Sequence, residues 1–339
     1  MEYRYLGRTG MQVSTFCLGT MMFGSWGNPD PEACAAMVDL AIDAGVNFFD
    51  TADVYDAGHS EELLGRALGS RRSEVVIATK FHYSIGEGPN LSGNSRRWIN
   101  IAVEESLRRL GTDWIDLYQV HRPDPTVEIG ETLDALSDLV HAGKIRAFGT
   151  STFPSDELVD AQWTAKVRHS LRPMTEQPPY SIFTRGIEAD VLPACLHHQI
   201  GVLVWSPLNG GWLTGKYRRG EPAPAGSRGA YASEHFDYGG SLHDRKIDLV
   251  ERLEEVAESA GCSMTALALA FATEHPAIDA AIIGPKSVEQ LTDLLSSADF
   301  HLDASTLDAI DGIVPPGIDV NPHDGGYVRP ELTVAARRR

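Results

Sequence analysis

Ile115-Asp-Leu-Tyr-Gln-Val-His121, then Val127–Ala142 closed by Gly143, then Ile145-Arg-Ala-Phe-Gly-Thr-Ser151 is the stretch that decides the fold. A short apolar run is followed by a helical pattern that stops at glycine, and then by a second short apolar run. That order is strand, helix, strand, the signature of a parallel sheet. The unit recurs along the chain. Strands are expected at Phe16–Thr20, Val46–Asp50, Val75–Lys80, Ile115–His121, Ile145–Ser151, Met174–Gln177, Val202–Ser206 and Ala280–Gly284. Helices are expected over Pro31–Ala44, Ser95–Leu110 and Val127–Ala142. Another starts at Ser155, with Leu158, Val159 and Trp163 at helical spacing. Eight such units predict a single α/β domain over residues 1–339, closed as a (β/α)8 barrel. Three segments fall outside the repeat. Tyr3–Ser14 reads as a β-hairpin that plugs the barrel bottom. Asn209–Ser241 is too long for an ordinary loop and reads as a lid or a partly disordered segment. Pro315–Arg339 reads as an irregular tail over the site mouth, and its Arg337-Arg338-Arg339 end as a solvated terminus.

Composition narrows the function. The formal net charge is −18, from 29 basic and 47 acidic residues, which argues against nucleic acid or an anionic membrane as partner. No run approaches 18 uncharged apolar residues, so no membrane span is expected. Cys17, Cys34, Cys195 and Cys262 are widely spaced with no CxxC pair, which suggests reduced thiols and a cytoplasmic protein. No metal-ligand spacing stands out, and His197-His198 reads as a solvated helical pair.

Asp50, Lys80 and His121 each close an expected strand, and Tyr55 follows in Asp50-Thr-Ala-Asp-Val-Tyr55. Strands two to four are neighbours about 4.8 Å apart, so these ends line one arc of the rim where barrel chemistry is done. The free phenol has a pKa of about 10, and a nearby cation lowers it by roughly 1–3. Asp50 is expected to hold Lys80 charged, and a neutral His121 to orient a carbonyl or relay a proton. Each residue alone has an ordinary explanation: a helix cap, loop packing, a solvated lysine. Three at successive strand ends with Tyr55 on the loop after the first, of types that make one mechanism, favour proton transfer to a developing alkoxide.

These motifs resemble the aldo-keto reductases, on the branch holding the potassium-channel β-subunits and related bacterial oxidoreductases. The resemblance rests on Leu18-Gly-Thr-Met-Met-Phe-Gly24, Phe48-Phe-Asp-Thr-Ala-Asp-Val-Tyr55, Ala78-Thr-Lys80, Asp116-Leu-Tyr-Gln-Val-His121, Gly149-Thr-Ser151, Glu176-Gln177, Trp205-Ser-Pro-Leu208 and Ile282-Ile-Gly-Pro-Lys-Ser287. It implies an NADPH-dependent carbonyl reductase on a (β/α)8 barrel. Tyr55 would be the general acid, Lys80 its pKa tuner, Asp50 the partner of Lys80, and His121 the orienting group. Some channel β-subunits carry Asn at the position of His121, so histidine favours an active enzyme.

The chain has no G-x-G-x-x-G after a strand, so a Rossmann site is not expected. The resemblance places the dinucleotide on the rim instead. Thr20, Met21 and Asp50 lie at its near end, and Ser151 and Gln177 hydrogen-bond the carboxamide. Trp205 stacks on the nicotinamide or packs in the core. Ser206, Pro207, Leu208 and Gly210 cradle the pyrophosphate, with Lys216 and Arg228 folding over it. Gly284 and Lys286, opening the helix after the eighth strand, suit the 2′-phosphate of NADP better than NAD, or serve only as a helix cap. Gln290 and Asp293 face the adenosine. Two residues depart from the family pattern, Thr152 after Ser151 and Leu294 after Asp293.

A substrate pocket is expected from Trp26, Val54, Phe81, His82, Arg122, Phe153 and, from the tail, Tyr327. It suits a small-molecule aldehyde or ketone. Arg122 would meet a substrate anion, or bind Asp124 or a helix end. The alternatives are a nicotinamide-binding regulatory subunit, a reductase for a nucleotide-linked deoxysugar, and a metal-dependent sugar isomerase.

Overall fold

A computed structural model describes residues 1–231, 238–330 and 336. Arg337-Arg338-Arg339 and residues 232–237 of the long loop lie outside the described residues. At the N-terminus β1 (Tyr3–Tyr5) and β2 (Gln12–Ser14) pair antiparallel, Tyr3 facing Ser14. The next eight strands are β3 (Phe16–Gly19), β4 (Phe48–Asp50), β5 (Val76–Phe81), β6 (Ile115–Val120), β7 (Ile145–Ser151), β8 (Thr175–Gln177), β9 (Gly201–Val204) and β10 (Ala280–Ile283). All pair in parallel and close on themselves, β10 bonding to both β9 and β3. The expected (β/α)8 barrel is the observed one.

The helices are α1 (Pro31–Asp43), α2 (His59–Leu68), α3 (Arg96–Leu110), α4 (Ile129–His141), α5 (Ser155–Arg168), α6 (Val191–His198), α7 (Arg228–Tyr231), α8 (His243–Ser259), α9 (Met264–Glu274), α10 (Val288–Leu295) and α11 (Ala304–Ile313). Local chemistry sets their ends. The Asp30 carboxylate accepts from Glu32 N and starts α1; Ser95 accepts from Trp98 N and starts α3. Gly111, at φ +63°, stops α3. Helix α4 begins two residues later than the pattern predicts. Asp124 takes the Thr126 N–H and hydroxyl and folds the approach into a turn.

Strand alternation separates two cores. Cys17, Phe48, Ala78, Leu117, Ala147, Leu203 and Ala280 point into the barrel and pack with Leu6 and Val13 of the hairpin. The hairpin therefore closes the bottom, as expected. Gly7 is required there: its φ is +52°, and a Cβ would sit 2.3 Å from Gly201 N. Outward-facing residues such as Ile77, Tyr118 and Phe148 meet the helices in the larger core. Each fully buried Leu or Phe of this kind contributes about 1.5–3 kcal/mol.

On α5 the helix is where the spacing puts it, but its apolar face is not the core face. Leu158, Ala161 and Ala165 are buried, while Val159 and Trp163 are 43% and 62% exposed. The long loop between β9 and α8 is also folded where described. Trp212 and Tyr217 are buried, their rings 5.0 Å apart, with Tyr238 packed on both. No single helix among the described residues is long and apolar enough to cross a membrane.

Candidate active site

The parallel register carries three ionisable residues to adjacent places on the C-terminal rim. Asp50 ends β4 opposite Gly19 and Ala78; Lys80 lies opposite Gln119; His121 follows β6, its N–H bonded to Phe81 O at 2.9 Å. Lys80 is fully buried, and its ammonium has three donors for three acceptors. They are Asp50 Oδ1 at 2.6 Å, Thr51 O at 2.6 Å and Tyr55 Oη at 3.4 Å. The other Asp50 oxygen accepts from Gln177 Nε2 at 2.8 Å. The His121 ring stands edge-on to Tyr55, with centroids 6.0 Å apart. The sequence-predicted four thus form one cluster.

A strained loop delivers Tyr55. Asp56 and Ala57 have φ of +48° and +54°, and Gly58 has +93°. The Asp56 carboxylate anchors it in front by accepting from Ser25 N and Ser25 Oγ. Behind it, Arg109 Nε bonds Glu61 at 2.7 Å, and Thr79 Oγ1 bonds the same carboxylate at 2.6 Å. A Cβ on Gly58 would fall 2.6 Å from Arg109 Cδ, so the brace and the turn fit only with glycine.

Burial pulls the Lys80 pKa down, but Asp50 and Tyr55 raise it more, so the ammonium stays charged. Burial raises Tyr55; Lys80 pulls it down, Asp50 raises it again, and the net direction is up. This differs from the lowered phenol expected from sequence, because the site is drier than a strand-end residue alone implies. At neutral pH Tyr55 therefore holds its proton. Burial, with the charges of Lys80, Arg122 and His82, lowers His121 well below the ordinary imidazole value and keeps it neutral. A buried charged lysine beside a protonated phenol is costly as architecture and suits proton donation to an oxygen gaining negative charge.

Around the cluster, Trp26 is 48% exposed with its ring 6.2 Å from Tyr55. Val54 precedes the Tyr55 turn, and His82 Nδ1 bonds Asn94 Oδ1 at 2.9 Å. Gly326 packs on Trp205 and Thr152, which brings the neighbouring Tyr327 to the same rim. Two expected pocket residues are corrected. Phe81 faces outward, stacked on Tyr118 at 4.8 Å, because alternation from Lys80 turns it toward the helices. Phe153 is likewise buried in the outer core, its N–H bonded to Glu176. Tyr83 was missed by sequence reading: its ring lies 5.0 Å from His121, edge-on. Its place just beyond the end of β5 was the available signal.

The residues proposed for a dinucleotide follow the rim. Ser151 Oγ donates to Gln177 O at 2.9 Å, so both sit together beside Asp50. The Thr20 hydroxyl is engaged with Asp50 O and Ser60, and Met21 follows it half-buried. Trp205 is half-exposed beyond β9, so it is not a core residue. Ser206, Pro207, Leu208 and Gly210 then turn sharply, with φ of +57° at Ser206 and +65° at Gly210. Lys216, Arg228 and Lys286 converge: burial lowers the Lys216 pKa, and the charges of Arg228 and Lys286 lower it further. Lys286 follows Gly284 at the start of α10, and its Nζ donates to Gly226 O. Gln290 and Asp293 are exposed on α10, whereas Leu294 is 7% exposed and packs into the core. Among the described residues, no group of three His, Cys, Asp or Glu is placed to hold a metal ion.

A closed barrel with a Tyr-Lys-Asp-His cluster on its C-terminal rim defines an oxidoreductase-like site. The profile of the Aldo/keto reductase family matches residues 15–315, and the chain belongs to that family. It is 38% identical to the uncharacterized oxidoreductase YrpG of Bacillus subtilis, over 94% of this chain and 97% of that one. It is 35% identical to a probable voltage-gated potassium channel subunit beta of Oryza sativa, over 93% and 97%. It is also 33% identical to the aldo-keto reductase YhdN of Bacillus subtilis, over 86% and 87%. The chain is therefore an oxidoreductase of a family that generally uses nicotinamide cofactors.

Proposed function

We propose that the chain is an NADPH-dependent carbonyl reductase in which Tyr55 gives a proton to an aldehyde or ketone oxygen. The observation that carries this reading is the buried Lys80 ammonium shared between Asp50, Thr51 O and Tyr55. Tyr55 arrives protonated, and as its proton leaves, the phenolate forms beside a fixed cation. Asp50 aims that cation. Neutral His121 adds a hydrogen-bonding group without a second charge, which orients the carbonyl. When bound, the reduced nicotinamide supplies the hydride. Ser151 and Gln177 would hold its carboxamide, Trp205 its ring, and the turn at Ser206–Gly210 its pyrophosphate. The convergence of Lys216, Arg228 and Lys286 favours a 2′-phosphate and hence NADPH over NAD. In this reading the chain works as one domain in the cytoplasm on a small carbonyl compound, a setting that the four free cysteines support.

The likeness to probable channel beta subunits favours a second reading, a regulatory subunit that binds the dinucleotide and turns over slowly. One experiment separates the two. NADPH oxidation is followed with an activated aromatic aldehyde, wild type beside Tyr55→Phe. The expected result is steady turnover that is nearly abolished in the variant, with NADPH still quenching tryptophan fluorescence in both. Equal rates in the two proteins refute Tyr55 as the acid, and quenching without turnover in either supports the regulatory reading.

A further inference from the structure

Arg122 follows His121 directly, and its guanidinium is fixed at one corner. Nη1 donates to His121 O at 2.6 Å and to Thr152 Oγ1 at 3.0 Å. An Nη group carries two hydrogens, so these two bonds use it completely. Nε and Nη2, the edge that grips a carboxylate with two parallel bonds, make no further hydrogen bond among the described residues. Among the described residues no carboxylate forms an ion pair with Arg122; buried Glu176 feels its charge without bonding to it, and Asp124, two residues away, does not reach it. Asp124 is instead committed to Asn94 N, Thr126 N and Thr126 Oγ1. This in a chain of net charge −18 where Arg71, Arg72, Arg96, Arg108 and Arg109 all have acidic partners.

The anchor is itself unusual. Thr152 is β-branched yet sits at φ +61°, a conformation that such residues rarely hold and that persists only when its surroundings impose it. Here three bonds impose it: Thr152 N to Gln177 O at 3.2 Å, Phe153 N to Glu176 at 3.1 Å, and Arg122 to the threonine hydroxyl. The strained residue and the guanidinium hold each other in place. The guanidinium is bonded to the backbone oxygen of His121 and to the hydroxyl of Thr152, the residue after Ser151, so it lies between two parts of the proposed site.

We propose that Arg122 is the receptor for a carboxylate carried by the substrate, so that aldehydes and ketones bearing a carboxylate are the favoured class. This rests on the carbonyl-reductase reading and deepens it. The overall acidic field repels anions, so a preorganised cation next to His121 selects for them by direct contact.

The test compares kcat/KM for 4-carboxybenzaldehyde and its neutral methyl ester in wild type, Arg122→Gln and Arg122→Lys. The ratio of acid to ester is expected to fall roughly 10- to 100-fold in Arg122→Gln, the range for a hydrogen-bonded charged group, mainly through KM. Arg122→Lys, which keeps the charge without the fork, is expected between the two. Loosening of Thr152 alone lowers acid and ester together and leaves the ratio unchanged; an unchanged ratio refutes the proposal. Ester reduction by wild type keeps the carbonyl-reductase reading standing in that case, so the two failures are distinct. A direct readout accompanies it. Benzoate is expected to perturb tryptophan fluorescence of the wild type complexed with NADP⁺, and roughly 10-fold higher concentrations are expected for Arg122→Gln. Equal benzoate affinity in both proteins overturns the assignment.

Discussion

Lys80→Met removes the ammonium at the centre of the cluster and keeps much of its apolar stem. Asp50, nearly fully buried, then keeps Gln177 Nε2 as its side-chain donor and loses its 2.6 Å bond to Lys80. Breaking a buried pair in this way costs about 3–5 kcal/mol. Unfolding entropy of about 2.1 cal/mol/K per residue amounts to about 0.7 kcal/mol/K for this chain, so the melting temperature should fall by about 4–7 °C. The loss should depend on pH. Burial already pushes the Asp50 carboxyl up, and without Lys80 little opposes it. A raised folded pKa means that stability is fully present below the unfolded carboxylate value and is lost as pH rises through the folded one. The variant should therefore lie closer to wild type at pH 5 than at pH 8. Replacing both partners, Lys80→Met with Asp50→Leu, should recover at least half of the loss at pH 8, because no charge is then stranded. Thermal unfolding by circular dichroism at the two pH values measures all three proteins. A deficit in Lys80→Met that is the same at pH 5 and pH 8, with no recovery in the double variant, would refute a buried charge pair as the organising interaction.

Two further outcomes follow from the rim. Lys286→Ala should weaken NADPH by about 10-fold or more while changing NADH little, because a 2′-phosphate loses one charge-assisted partner; fluorescence titration measures both, and equal losses would sink the assignment. Glu176 is buried on β8 with its pKa raised from 4.5 to about 7 by burial, against its bonds to Thr150 and Phe153. Its stabilising contribution is present below about 4.5 and lost as pH rises through about 7, a loss of about 3 kcal/mol at most. Glu176→Gln should remove that slope, so wild-type and variant melting temperatures should diverge between pH 5 and 7.5; parallel curves would show that the carboxyl does not titrate there.

The barrel was legible because its wall is written in two periods. Strand runs such as Ile145–Ser151 are apolar and bounded by glycine or capping residues, and helices such as Pro31–Asp43 begin and end where Asp30 and Gly45 say they should. Asp50, Lys80 and His121 were legible for the same reason, since a strand end is visible in sequence, and Tyr55 because it follows one of them by five residues. Facing was harder. Phe81 lies next to Lys80, and one step along a strand reverses the side chain, so proximity in sequence put it in the pocket and the pleat put it in the core. Burial was harder still. The rise in the Tyr55 pKa depends on how much water the surrounding loops exclude, and those loops come from around Ser25, Trp26 and Asp56, with no shared period to announce them. The Asp56–Ser25 clamp spans 31 residues and joins two irregular turns.

The two residues that depart from the family pattern are best read together. Leu294 is buried, so in the proposed reading it is the exposed residues of α10, Gln290 and Asp293 among them, that would meet an adenosine. The proposed reading then puts more weight on Lys216, Arg228 and Lys286; burial lowers the Lys216 pKa, and the other two charges lower it further. Thr152 acts at the other end. The position adopts a left-handed conformation, which a β-branched threonine tolerates poorly, and the side chain contributes a single hydroxyl. The hydroxyl is within hydrogen-bond distance of Arg122 and of Ser151. Thr152 is thus tied both to Ser151 and to the Arg122 cation. If Ser151 holds the carboxamide and Arg122 the substrate carboxylate as proposed, Thr152 joins the two, and a substrate that engages Arg122 would tighten the same corner that orients the nicotinamide.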